Sequence, residues 1–260
     1  IALEVMGEFE TFTRQSSSVE ESILGSPTGQ AIVIGNIAKR EMDNAFFGRV
    51  TAVFDRSLYL EVNGNWLCLA DANLGFGPLT ISVKSRYGCD WIKSFSIGRL
   101  VKLSPLGIGI DESTIIYTKG VRPWKPPKIS NWTKNSLMQG LDNLENIVES
   151  NVPVEGLGRF IFEISDRFPA SKESLAAEHS IGVLKNWLKK CFEFQMPIIP
   201  DKEAISSLIG MGPGLTPSGD DFLGGMLIAL HICGEKTVKK NLYVQVESLL
   251  GSTGPVSKAH

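Results

Sequence analysis

The run Val121-Arg122-Pro123-Trp124-Lys125-Pro126-Pro127-Lys128 decides how the chain divides. Proline fixes φ near about −65° and brings no amide donor, so this run is read as unable to extend a ladder or a helix. On its N-terminal side apolar residues recur at every second position, and on its C-terminal side at every third or fourth. Between about Gly48 and Gly120, Val50, Ala52 and Phe54 alternate with polar neighbours, and Leu58, Leu60 and Val62 resume the alternation after Asp55-Arg56-Ser57. Asn63-Gly64 then marks a hairpin, because both residue types tolerate positive φ in a type I′ turn. Leu67 and Leu69 carry the return strand, with further short strands over Leu79–Val83, Leu100–Leu103 and Thr114–Thr118. Many short strands with glycine-containing turns predict a small antiparallel β-barrel or sandwich.

Beyond the run the period lengthens. Leu137, Leu141, Leu144 and Val148 predict one helix, Leu157 to Phe168 a second, and Ser174 to Phe194 a third carrying Leu175, Ile181, Leu184, Leu188 and Cys191. A short helix is expected over Asp201–Ile209 after Pro197 and Pro200, and a last one over Val238–Leu250. Near the start, Val19–Leu24 is read as helical and Ala31–Ile34 as the beginning of the sheet. The expectation is an α+β chain. It comprises a mainly β domain over 1–120 with an N-terminal extension, a Pro-rich linker at 121–128, and an α-helical domain over 129–260.

Composition narrows the function classes. The chain has 260 residues, 43% of them hydrophobic, and a formal net charge of −2, enough for one large domain or two smaller ones. Near-neutral charge without a basic tract provides no electrostatic footprint for nucleic acid. Charges interrupt each apolar run before the roughly 20 residues a membrane-spanning helix requires. Cys68, Cys89, Cys191 and Cys233 are scattered and read as buried free thiols of a reducing cytoplasm. Neither they nor His179, His231 and His260 show metal-ligand spacing. Trp66, Trp91, Trp124 and Trp132 share no spacing and are read as packing, and Glu20-Glu21 and Lys185, Lys189 and Lys190 as solvated faces.

The segment richest in chemistry is Gly210-Met211-Gly212-Pro213-Gly214-Leu215-Thr216-Pro217-Ser218-Gly219-Asp220-Asp221. Phe222 to Leu230 follows, apolar on every side, which predicts an interior helix closed by Gly234 as its C′ residue. No lysine follows the last glycine as a Walker loop requires, and Pro217 stands where a dinucleotide fingerprint needs its third glycine. What remains is a helix–turn–helix junction. Thr216 is a candidate N-cap with Pro217 at the first helical position, and Ser218 competes as N-cap with Asp221 three residues on. Gly212 and Gly214 leave the backbone open to an anion at the positive end of the helix dipole. Asp220 and Asp221 would complement that dipole for about 0.3–1 kcal/mol each if exposed, but an apolar helix predicts that at least one is buried against a donor, a cation or a substrate amine. Gly219, Gly224 and Gly225 cost about 1 kcal/mol each against alanine, so close approach of another group is expected to compensate.

The run Gly212 to Leu223 resembles the motif of the AllH-like family of bacterial proteins. The strand from Gly48-Arg49-Val50 to Phe54-Asp55-Arg56 and the Gly77-Pro78 turn are similar to its N-terminal region. Ser252-Thr253-Gly254-Pro255-Val256-Ser257 loosely resembles a Thr- and Ser-containing segment that family members follow with a final helix, so a further C-terminal piece is expected beyond His260. The resemblance implies a subunit of an oxamate carbamoyltransferase, hence other protein subunits as partners and a small anionic substrate such as carbamoyl phosphate or a carboxylate. In that reading Gly212, Gly214, Thr216, Ser218 and Gly219 hold the anion. Asp220 or Asp221 orients the amine, takes its proton or holds Mg²⁺. Two other readings fit the same residues: a non-catalytic subunit that docks partners, and a Mg-dependent enzyme such as a small-molecule kinase or phosphatase.

Overall fold

A computed structural model describes residues 29–85, 95–110, 114–126, 132–148, 155–161 and 170–259. The expected helix at 19–24, Cys89, Trp91, His260 and residues 162–168 of the expected second helix lie outside them. The chain forms two compact units, Ile1–Lys128 and Ile129–His260.

The first unit runs β1 (Gly29–Gly35), α1 (Asn36–Asp43), β2 (Phe47–Phe54), β3 (Ser57–Val62), β4 (Asn65–Asp71), a 3₁₀ turn (Ala72–Leu74), β5 (Thr80–Ser85), β6 (Leu100–Ser104), β7 (Gly107–Gly109), β8 (Ile115–Tyr117) and β9 (Pro123–Trp124). The sheet order β5-β4-β3-β2-β6-β7-β8-β1, with β5 also pairing β1, closes eight strands into a barrel rather than a sandwich. Inward Val50, Leu58, Leu60, Leu67, Leu69, Ile81, Val101 and Ile108 fill it. Asn63 and Gly64 have φ of 52° and 78°, the positive pair that a type I′ hairpin between β3 and β4 needs.

Three sequence expectations need correction here. The barrel is mixed rather than antiparallel, since β4–β5, β1–β8 and β1–β9 are parallel. Parallel neighbours need a crossover, and the 3₁₀ turn with the Gly75–Leu79 loop provides one between β4 and β5. The 121–128 run does enter the ladder, with Ile34 opposite Pro123 and Gly35 opposite Trp124. A two-residue strand that opens on proline asks little of the missing donor. Finally, the register of β2 against β3 shifts between Val50 and Ala52. Such a bulge turns later side chains to the other face. Phe54 is accordingly 43% exposed and meets Tyr59 edge to face, with ring centroids 6.2 Å apart.

Two polar details anchor the barrel. The Asp71 carboxylate caps the 3₁₀ turn by accepting from the Asn73 amide at 2.9 Å, and also accepts from Arg56 Nη2 at 2.7 Å. The Asn73 backbone bond first, then Arg56, holds its carboxyl below the usual range. Burial pushes the Cys68 thiol up to about 11, and burial followed by the Cys68 neighbour pushes Tyr59 up to about 12.

The second unit contains α2 (Lys134–Val148), a 3₁₀ turn (Gly158–Ile161), α3 (Lys172–Glu193), α4 (Lys202–Leu208), α5 (Ser218–Ile232), α6 (Lys236–Leu249), a 3₁₀ turn (Leu250–Ser252) and α7 (Pro255–Ala259). Ser171 caps α3 by accepting from the Ser174 amide, and Asp201 caps α4 by accepting from Glu203 and Ala204. The core is Ala177, Ile181, Leu184, Trp187 and Cys191 of α3 against Ile205 and Leu208 of α4, Leu223 and Leu230 of α5, and Leu242 of α6. Each fully buried leucine or isoleucine here contributes about 1.5–3 kcal/mol. Gly234, with φ of 81°, ends α5 as expected. Its amide donates to the His231 carbonyl and that of Glu235 to the Leu230 carbonyl, the double bond of a Schellman motif.

Here too the apolar pattern overstates burial. Leu175 is 59% exposed, and Leu137 and Leu141 of α2 are 42% and 51% exposed. Helix α5 is no all-round interior helix: Gly225, Ile228, Ala229 and Ile232 face outward, Ile228 at 62%. The thiols are buried at Cys68 and Cys191 but exposed at Cys233. Among the described residues, no helix is long and apolar enough to cross a membrane.

Asp71→Asn should lower barrel stability at pH 7 by about 0.2–1 kcal/mol, the scale of its ion pair with Arg56, since asparagine keeps the cap. Because the folded carboxyl titrates below its unfolded value, its contribution is present above about pH 4 and lost as pH falls through the folded pKa. The gap in Tm between wild type and variant should therefore close in acid, and a gap independent of pH would refute the assignment. Thiol labelling of native protein at pH 8 should modify Cys233 well before Cys68 or Cys191. Comparable rates without denaturant would contradict the burial.

Candidate functional site

Helix α4 ends at Leu208, whose carbonyl accepts from the Met211 amide at 3.0 Å. The chain then turns through Gly210, Gly212 and Gly214, with φ of 74°, 115° and 92°. These left-handed values account for the glycines without any ligand. The turn ends at Pro217, with φ −55° and ψ 144°, which is the N-cap of α5. Neither Thr216 nor Ser218 takes that role, and no side chain caps this helix end. Proline serves because an N-cap needs extended backbone and contributes its carbonyl. That oxygen accepts from the Asp220 and Asp221 amides at 2.9 and 3.1 Å. The Gly219 amide donates to the Met211 carbonyl at 3.0 Å. Three first-turn amides are thus engaged within the protein.

Close approach explains Gly219 alone among the three helix glycines. A Cβ built there would overlap the Leu208 carbonyl, so α4 and α5 touch backbone to backbone at this point. Among the described residues nothing comes within 4 Å of a Cβ placed on Gly224 or Gly225. A Cβ on Gly212 would stand 2.9 Å from the Ser218 nitrogen and 3.3 Å from its hydroxyl, and one on Gly156 would stand 3.1 Å from the same hydroxyl. The Ser218 side chain therefore sits between two glycine backbones. The Gly156 carbonyl accepts from the Ser171 hydroxyl at 2.7 Å, which ties this glycine to the N-terminus of α3.

The two aspartates diverge. Asp220 is partly buried, and its Oδ1 accepts from the Gly210 amide at 2.8 Å. Its Oδ2 accepts from the Ser257 hydroxyl at 2.6 Å and from the Thr253 hydroxyl. Asp221, about 100° further round the helix, is exposed. The expectation that one carboxylate would be shielded against donors holds for Asp220, and its donors come from the protein. Gly212, Ser218, Gly219 and Asp220 are thus gathered at the junction, whereas Gly214 is exposed and Thr216 partly buried on the turn. Sequence reasoning missed Gly156, the Gly210 amide, and Thr253 and Ser257 as the partners of Asp220. The Thr/Ser segment at 252–257 was the signal for the last two. Among the described residues no group of three or more His, Cys, Asp or Glu side chains could hold a metal ion.

The model of the family described as oxamate carbamoyltransferase subunit AllH matches residues 208–260. That stretch begins at the end of α4 and takes in the glycine turn, Asp220, Thr253 and Ser257. No curated protein and no solved structure matches the chain.

Gly219→Ala should cost several kcal/mol, since the added methyl has only backbone to displace. Gly225→Ala, in open space mid-helix, should instead stabilise by about 1 kcal/mol. Denaturation midpoints of the two variants check both, and equal effects would show that the α4–α5 contact is misplaced.

Proposed function

We propose that this chain is a subunit of a carbamoyltransferase of the oxamate carbamoyltransferase kind, and that its glycine turn binds the small anionic substrate. The observation that carries the reading is a coincidence of place. The family match spans a junction where a glycine turn, a helix N-terminus and a hydrogen-bonded carboxylate meet.

In this proposal the anion takes its donors from the turn backbone at Gly212, Gly214 and Thr216 and from the Ser218 and Thr216 hydroxyls. The Gly219, Asp220 and Asp221 amides are already committed to Met211 and Pro217. The positive end of α5 adds attraction for negative charge, about 0.3–1 kcal/mol at an exposed site. Carbamoyl transfer needs the carbonyl oxygen polarised by fixed donors and a base near the attacking nitrogen. Asp221 serves as that base or as the group orienting the amine. Asp220, with its oxygens turned to Gly210, Thr253 and Ser257, supports the site from behind.

A second reading, a subunit that docks partners without chemistry of its own, draws on a different observation. Ile228 and Ile232 lie in the open on the face of α5 that also carries Asp221 and Gly225.

Calorimetric titration separates the two. The wild-type chain should bind carbamoyl phosphate, and Ser218→Ala should weaken binding about tenfold, the scale of one charge-assisted hydrogen bond, while Asp221→Asn, which removes no donor to the anion, should not weaken it. Reconstituted with its partner subunits, Asp221→Asn should lose turnover. If both variants bind and turn over like wild type, the catalytic reading is wrong and the docking reading stands.

A further inference from the structure

Eight consecutive residues at the end of α3 and beyond it, Phe192 to Ile199, are exposed. Five of them, Phe192, Phe194, Met196, Ile198 and Ile199, are large and apolar, with between 36% and 66% of their surface in water. Apolar residues exposed singly need no explanation, but a contiguous patch marks a contact surface. The backbone accounts for the outward side chains. The Ile198 carbonyl accepts from Trp187 Nε1 at 2.8 Å, and the Pro197 carbonyl accepts from Asn241 Nδ2 at 2.9 Å. Peptide groups are thus tied to α3 on one side and α6 on the other. Gln195, with φ of 50°, takes a left-handed conformation that is costly for a residue with a side chain. The loop is pinned open rather than collapsed onto the core. At about 200 Å² per large side chain, the patch leaves about 500 Å² of apolar surface in water, against about 800 Å² that one partner buries in a standard interface.

The edges of the patch are basic. Lys190, whose carbonyl accepts the Phe194 amide, Lys202 at the start of α4 and Lys240 beside Asn241 are exposed. Among the described residues none of the three is in an ion pair. Of the acids that flank the loop, Glu193 pairs with Lys189 at 3.7 Å and the Asp201 carboxylate caps α4, which leaves exposed Glu203 against three lysines. A second copy of the chain would bring a like-charged rim against this one. An anionic bilayer would suit the lysines, but Glu193 and Gln195 alternate with the apolar side chains and would enter the hydrocarbon with them. A protein surface satisfies both features, with apolar contact at its centre and carboxylates at its rim.

We propose that the Phe192–Ile199 stretch is the surface through which this chain docks a partner subunit, and that the partner presents an apolar recess edged with carboxylates. This goes beyond the glycine turn and rests only on the subunit reading above. Binding kinetics and sedimentation of the full chain with the purified partner subunits test it. Phe194→Ala and Ile199→Ala should each weaken binding at least tenfold, the effect of removing a central contact. Leu175→Ala, at an exposed apolar site near the other end of α3, should change it less than twofold. Lys190→Glu combined with Lys240→Glu should slow association about tenfold at low salt and flatten its dependence on ionic strength. All these sites are exposed, so melting temperatures should match the wild type. Partner binding that Phe194→Ala and Ile199→Ala leave unchanged would overturn the inference while the subunit reading stands. A dimer of the chain alone that Phe194→Ala dissolves would replace the partner with a second copy. Capture by vesicles of phosphatidylcholine and phosphatidylserine that the same variant abolishes would replace it with a membrane. Partner subunits that do not bind the wild-type chain at all would remove the subunit reading and this inference with it.

Discussion

The carboxylate of Asp220 joins three stretches that are remote in sequence. It sits on the first turn of α5, takes the Gly210 amide from the turn after α4, and takes two hydroxyls from the segment that follows α6. Hydrogen bonds to a charged acceptor are worth about 1.5–3 kcal/mol each, against about 0.3–1 kcal/mol for a carboxylate's attraction to a helix N-terminus. Bonding therefore outweighs the dipole in deciding where Asp220 points. The two adjacent aspartates differ in burial, Asp220 being partly buried and Asp221 exposed.

Steric contact reinforces that tie. The Gly219 backbone against the Leu208 carbonyl fixes the distance between α4 and α5, and the Gly219 amide bond to Met211 fixes the return of the turn. Ser218, between Gly156 and Gly212, is then held by backbone on two sides. Side chains that confine a functional group have rotamer freedom to lose. Here much of the confinement comes from main chain, which makes the geometry less tolerant of any added carbon.

Local signals in the sequence were legible and long-range ones were not. Asn63-Gly64 and Gly234 act within a few residues of themselves, through φ, so their effects can be read from their neighbours. Barrel closure through β1–β5 and the parallel β4–β5 pair involve segments whose alternation looks the same in either direction. The bulge between Val50 and Ala52 inserts no distinctive residue, so Phe54 reads as inward until the register is known. At the site, glycine content announced a tight turn, but sequence could not separate glycines needed for φ, such as Gly214, from Gly219, needed for contact. Nor could spacing pair Asp220 with Thr253 and Ser257, more than thirty residues away.

Helix α5 shows why an apolar composition is a poor guide to position. Leu223 and Leu230 are buried, and Phe222, Met226 and Leu227 pack partly against the same core. Asp221, Gly225, Ile228 and Ile232 follow at intervals of four, three and four residues and make a separate exposed face. Hydrophobicity all round the helix thus has two origins, since only one face supplies the core of this unit. Gly224 and Gly225 follow the same logic: open space surrounds them, so their cost in helix propensity is offset by nothing within the described residues. The face that begins at Asp221 is also the one without a Cβ at position 225, so the exposed aspartate and the exposed isoleucines share a smooth surface. Chemistry at Asp221 and contact through Ile228 would then occupy one side of one helix, which makes the catalytic and docking readings neighbours in space as well as rivals.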